Sequence, residues 1–203
     1  MLRARTLTRV FLGITAFVGL GALTMTATAA PDDKPVVILD TTLGPITIEL
    51  DRAKAPITVD NFLKYVDDGF YTNLIFHRVM PDFMIQGGGM TDQLDEKPTR
   101  DPIKNESNNG LSNTRGTIAM ARTNNPNSAT AQFFINLFDA NSRLDHAGGG
   151  YTVFGKVTSG MDTVDAIAKV RTGFKNGPGV NNVHGDVPLK PIYIKSAKRK
   201  AKS

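Results

Sequence analysis

The chain of 203 residues contains no cysteine, no tryptophan and only three histidines. Without cysteine it can form no disulfide, hold no cysteine–zinc site and run no thiol chemistry. His77, His146 and His184 are scattered and lack the spacing of a metal-ligand set, so neither a metal nor another cofactor is expected. There is no internal repeat and no linker that would divide off a second domain. A length of 203 residues fits one domain with a single core. The run Gly87-Gly88-Gly89 is not followed by Lys and Ser or Thr and opens no helix, which excludes a phosphate-binding loop and leaves a strand end or tight turn.

The N-terminus reads as a leader. Arg3, Arg5 and Arg9 form a basic start, and an apolar run of 14 residues follows over 10–23. That is shorter than the roughly 20 residues a membrane span needs. Ala27-Thr28-Ala29 supplies small residues for cleavage after Ala29, so residues 1–29 are expected to be a signal peptide and 30–203 the mature domain. The short apolar run favours cleavage over a retained membrane anchor. No cysteine follows to carry a lipid, and Arg9 stands alone, which does not support a twin-arginine signal. Export to the periplasm is the expected outcome.

Removing the three leader arginines lowers the formal charge from +5 to +2. Much of the remaining positive charge lies at Lys195, Lys198, Arg199, Lys200 and Lys202. A solvated basic tail over 197–203 is expected rather than a nucleic-acid site, since an exported chain meets little nucleic acid.

Periodicity gives short strands and two helices. β-Branched runs over 36–41 and 46–50, joined by Leu43-Gly44-Pro45, read as a hairpin. Apolar residues recur at helical spacing over 55–68, with Pro56 in the first turn and Gly69 as the stop. Further strands are expected at 75–80, 83–86, 117–121, 132–136, 152–157 and 191–197, with a second helix at 161–170. The stretches 92–113 and 173–188 read as loops. Many short strands with two helices predict a mainly β fold built on a closed antiparallel barrel.

The stretch 76–89, FHRVMPDFMIQGGG, concentrates the chemistry. Arg78 stands among Phe76, Val79 and Met80, with Phe83, Met84 and Ile85 after a Pro81-Asp82 turn. Arginine is rarely buried unless paired or functional. One reading is a pocket with an apolar floor and a fixed donor fork. The other is a pair of core strands whose arginine points to solvent. His77, one residue from Arg78 on a strand, is expected on the opposite face as a hydrogen-bonded core histidine rather than a general base.

A second set of motifs decides between the two. GTIAMAR over 116–122, SATAQFFIN over 128–136 and YTVFGKV over 151–157 follow the first stretch in order. With it they resemble the cyclophilins, the cyclosporin-binding class of peptidyl-prolyl isomerases, over about 36–196. The likeness is greatest to the bacterial periplasmic members. The resemblance implies an eight-stranded barrel capped by two helices and rotation about X–Pro bonds.

That rotation has a barrier of about 18–20 kcal/mol and takes tens to hundreds of seconds uncatalysed. No bond is broken, so no nucleophile is required. In the twisted amide the prolyl nitrogen gains a lone pair, and a donor aimed there stabilises the twisted state selectively. The resemblance assigns that donor to Arg78, with Phe83 and Gln86 as its catalytic companions. Gln86 is expected to bond the substrate backbone and help hold Arg78.

Phe83, Met84, Phe134 and Leu144 would seat the proline ring. Ala121 and Gln132 would line the pocket, and Arg122 would bind substrate through its main chain. Arg143 falls where the best-known eukaryotic members carry Trp, and Tyr151 where they carry His. Loss of that Trp implies weak cyclosporin binding. The expected partners are proline-containing polypeptides and unfolded exported proteins, with no nucleic acid, no stable membrane anchor and a monomeric state. The competing reading is a module that holds such peptides without turning them over.

Overall fold

Alternating β-branched residues build the first hairpin. β1 (Val36–Thr41) turns Val37 and Leu39 inward, and β2 (Gly44–Leu50) turns in Ile46, Ile48 and Leu50. At the turn between them, the Thr41 hydroxyl donates to the Gly44 carbonyl at 2.6 Å. The computed structural model describes residues 34–178 and 182–201, and only the backbone of 140–142. The expected leader, 1–29, lies outside the described residues.

α1 (Pro56–Asp67) starts on a proline whose φ is already helical. Ala55 offers no capping side chain, so the first N–H groups need another partner. Glu106, far along the chain, supplies it: its carboxylate accepts from Ile57 N at 3.1 Å and from Thr58 N at 2.8 Å. An anion here also complements the helix dipole. Gly69, at φ +64, ends the helix.

The remaining strands and α-helix are β3 (Leu74–Met80), β4 (Met84–Gly87), β5 (Thr117–Met120), β6 (Phe133–Asn136), β7 (Val153–Ser159), α2 (Met161–Ala168), β8 (Thr172–Asn176), β9 (Val183–Pro188) and β10 (Tyr193–Arg199), with 3-10 turns at Asp139–Asp145 and Ala147–Gly149. Eight strands close a barrel in the order β1-β10-β3-β4-β6-β5-β7-β2, every pairing antiparallel. Closure removes exposed strand edges.

Phe62 from α1 packs edge-to-face on Phe133 of β6 at 5.7 Å, and Phe76 of β3 meets the same ring at 6.1 Å. Both helices contribute to this core, α2 through Val164 and Ile167. Each fully buried phenylalanine contributes roughly 2–3 kcal/mol through burial. Among the described residues no helix is long and apolar enough to cross a membrane.

Three expectations need correction. The span 173–188 is not all loop: β8 and β9 form a separate two-stranded sheet. Gly173 and Gly185 interrupt its apolar pattern, and its register shifts between Gly173 and Lys175, so it gives no period-2 signal. α2 stops at Ala168 rather than 170, and Val170 turns back with its N–H on the Ile167 carbonyl at 3.2 Å. The last strand runs on through the expected tail as far as Arg199. Lys198 and Arg199 pair with Ile38 and Val37 of β1, and the Arg199 guanidinium holds Asp67.

Candidate active site

A register shift puts Arg78 where chemistry is possible. Between Phe76 and Arg78 the pairing of β3 with β4 slips, so His77 and Arg78 are two residues set against Gln86. Phe76 and Val79 face the barrel core. Arg78 and His77 instead both meet β9, through Asp186 and His184 respectively. Alternation alone places them on opposite faces; the extra residue brings them to one side. Arg78 is not buried. Its side chain is 43% exposed, and its Nε lies 3.9 Å from Asp186 Oδ2. Among the described residues its guanidinium has that ion pair and no hydrogen-bond partner.

His77 is 5% exposed, as a core histidine would be, but among the described residues its Nδ1 has no hydrogen-bond partner. Burial, with His184 and Arg78 nearby, brings its pKa down from 6.5 to about 4. A pKa that low makes it a weak proton acceptor, and it faces the β9 layer, so it is a poor general base.

The apolar seat forms on the outer face of the same strands. Met84, Phe134, Ala119 and Val153 make a cluster separate from the barrel interior, and Phe83, Leu144, Ala121 and Tyr151 pack on it. Pleating explains the division: Ile85, Phe133 and Ile135 point inward, while their neighbours Met84 and Phe134 point out. Phe83 leaves the Pro81-Asp82 turn, where Asp82 adopts φ +61. Tyr151 meets Phe134 edge-on at 5.8 Å. Arg143 lies at the rim, its guanidinium carbon 6.0 Å from the centre of the Phe83 ring.

Beside the seat lies a polar cavity of about 430 Å³ lined by Gln86, Ala121, Arg122 and Gln132 among others. Gln86 Nε2 donates to Gln132 Oε1 at 2.9 Å. Gln86 stands directly opposite Arg78 across the strand pair, yet no side-chain hydrogen bond joins them. Gly89 makes room for this pair. A Cβ on Gly89 would come within 2.3 Å of Gln132 Cγ.

Arg122 does more than present its main chain. Its Nε donates to the Gly150 carbonyl at 3.0 Å, and Nη2 donates to Ala147 and Gly148 carbonyls at 2.8 and 3.0 Å. Nη1 donates to the Thr123 carbonyl at 2.9 Å, and the guanidinium stacks 4.1 Å from the centre of the Tyr151 ring. The side chain that the resemblance left free to vary therefore fixes the loop before Tyr151.

Asp145 ties down the other side of that loop, accepting from the Ser112 hydroxyl and from Asn113 N at 2.8 Å. Burial raises the Asp145 pKa, but the Ser112 and Asn113 hydrogen bonds outweigh it and hold the carboxyl below its ordinary range. Among the described residues, no three His, Asp or Glu side chains gather as a metal site.

Every residue expected at the site from sequence thus falls on this face or its rim. Sequence reasoning missed the ion pair of Asp186 with Arg78, because 173–188 carries no period, and the side-chain contacts of Arg122, because its partners are distant carbonyls.

Comparison with known proteins agrees with this geometry. The family model for the cyclophilin type peptidyl-prolyl cis-trans isomerase matches residues 36–199. A peptidyl-prolyl cis-trans isomerase of Streptomyces antibioticus is 54% identical over 167 residues, 80% of this chain and 96% of that protein. Peptidyl-prolyl cis-trans isomerase B of Escherichia coli is 52% identical over 166 residues, 79% of this chain and 97% of the relative. A crystal structure of a cyclophilin type isomerase from Cryptosporidium parvum superposes with a TM-score of 0.66 at 25% identity, covering 84% of this chain and 99% of its own. Fold, outer-face pocket and relatives coincide: the chain belongs to the cyclophilin-type peptidyl-prolyl cis-trans isomerases.

Proposed function

We propose that the chain turns X–Pro bonds on the outer face of β3, β4 and β6, with Arg78 as the catalytic donor. The observation that carries this reading is Arg78 itself. A permanently charged fork that, among the described residues, has one ion pair and no hydrogen-bond acceptor stands on the face that carries an apolar seat. The proline ring packs on Phe83, Met84, Phe134 and Leu144, with Tyr151 as the far wall. The twisted prolyl nitrogen then accepts from Arg78, which stabilises the twisted state above either planar one.

Gln86, Gln132, Ala121 and Arg122 line the adjoining cavity and take the flanking peptide backbone. No covalent step occurs, so nothing is consumed and no group titrating near pH 7 is required.

The substrates are proline-containing segments of unfolded polypeptides. Residues 1–29 direct export and are removed, and residues 30–203 act as a monomer in the periplasm on newly exported proteins. Arg143 at the rim, in place of an indole, makes cyclosporin a weak inhibitor. The test is a protease-coupled isomerisation assay on short X–Pro peptides with purified 30–203 and its Arg78→Ala variant. Peptide binding without turnover would leave a holding module instead.

A further inference from the structure

Arg78 carries a long flexible side chain, and the work assigned to it requires its fork to point one way. Gln86, the residue paired with it across the strands, bonds Gln132 instead. The partner that does reach Arg78 comes from outside the barrel. β9 is fixed against β3 by Val187, which is buried with Ile75, Met90 and Leu94. The residue before it, Asp186, brings a carboxylate oxygen to 3.9 Å from Arg78 Nε.

We infer that Asp186 is a positioning residue for the isomerase site, holding the Nε side of Arg78 so that its two terminal nitrogens face the substrate; this rests on Arg78 being the catalytic donor. Three observations support it. First, 3.9 Å is an ion-pair distance but too long for a hydrogen bond, so the carboxylate orients the guanidinium without consuming a donor.

Second, Asp186 adopts φ +58 within a strand, a conformation that costs an L residue free energy and persists where its surroundings require it. Glycine would hold that backbone at less cost, but only an acid reaches Arg78 with charge. Third, the strand pair carrying Asp186 is itself irregular. Its register slips between Gly173 and Lys175, and the Phe174 ring lies over Gly185, 3.4 Å from where a Cβ would stand. The bend at Asp186 therefore belongs to a locally shaped segment. An anion beside Arg78 also offsets some of its charge. It does so from the Nε side, away from the atoms offered to substrate, so orientation outweighs the offset.

The experiment compares 30–203 with Asp186→Asn, Asp186→Gly, Arg78→Ala and the Arg78→Ala/Asp186→Asn double variant. It uses the isomerisation assay, urea melts and side-chain NMR of the Arg78 Nε–H group. Asn and Gly both tolerate the left-handed backbone, so folding is kept. Both single Asp186 variants are expected to lower kcat/KM about two- to fivefold, the range an exposed ion pair supplies, and to broaden the Arg78 Nε–H resonance.

In the Arg78→Ala background, Asp186→Asn should change nothing further, because the two act as one unit. Unchanged or raised kcat/KM in both Asp186 variants, with Asp186→Gly more stable, overturns the inference and leaves Asp186 a turn residue. An equal loss in the Arg78→Ala background also overturns it, since the effect would not pass through Arg78. Full activity in Arg78→Ala would instead defeat the underlying assignment of the donor.

Discussion

Acid should weaken this fold through His77 in a window above that of Asp145. The imidazole is buried against β9, its Nδ1 has no hydrogen-bond partner among the described residues, and its pKa falls from 6.5 to about 4. Above pH 6.5 neither the folded nor the unfolded chain protonates it. Between 6.5 and about 4 the unfolded chain binds a proton that the fold excludes, so stability falls as pH falls. Below that window both states are protonated and the loss is complete. At about 1.4 kcal/mol per pH unit, the full loss is roughly 3 kcal/mol.

Asp145 acts in a lower window. Its carboxyl is held below the ordinary 3.8, so its contribution is present above 3.8 and lost only as pH falls beneath it. The assay is urea unfolding of 30–203 and His77→Phe at four pH values from about 4.5 to 7.5, chosen to cover most of the His77 window. The unmodified protein should lose stability toward pH 4.5, and His77→Phe should lose about 2–3 kcal/mol less over the same range. Parallel pH profiles for the two proteins would refute the reasoning.

Two other substitutions test the walls of the site. Arg122→Ala removes the clamp on the Ala147, Gly148 and Gly150 carbonyls. It should lower stability by roughly 1–2 kcal/mol and raise KM for X–Pro peptides, as urea melts and steady-state assays would register. Arg122→Lys should rescue poorly, because an ammonium cannot span those acceptors. Arg143→Trp places an indole over Phe83, where an aromatic contact and an N–H donor are each worth about 1 kcal/mol. Cyclosporin titrations in the isomerase assay should then show inhibition tightened roughly ten- to thirtyfold; no change would mean that Arg143 does not stand at the drug-binding rim.

The barrel was legible because its strands alternate and its helices keep their period. Val37, Leu39, Ile46 and Ile48 announce the first hairpin, and Val59, Phe62, Leu63 and Val66 announce α1. The seat was legible because Phe83, Met84 and Phe134 stand in motifs whose order survives in the fold. What could not be read depends on contacts between distant residues or on departures from periodicity.

The slipped register at His77 and Arg78 changes which face a residue occupies, and no residue type marks it. Glu106 caps α1 from 48 positions away. β8 and β9 each carry a glycine and β9 packs on β3, so in the sequence Asp186 reads as one more polar loop residue. Arg122 binds backbone carbonyls, which every residue possesses, so its partners leave no trace in the sequence.

The central claim is that Arg78 stabilises the twisted amide on the outer face of the barrel. Its most direct test is the rate of cis–trans exchange at X–Pro bonds by 30–203 and by Arg78→Ala, with circular dichroism to confirm that both are folded. The account predicts robust exchange by the unmodified protein and a loss of roughly 10²–10³-fold in the variant, the effect of removing one preorganised donor. Undiminished exchange by folded Arg78→Ala would contradict it.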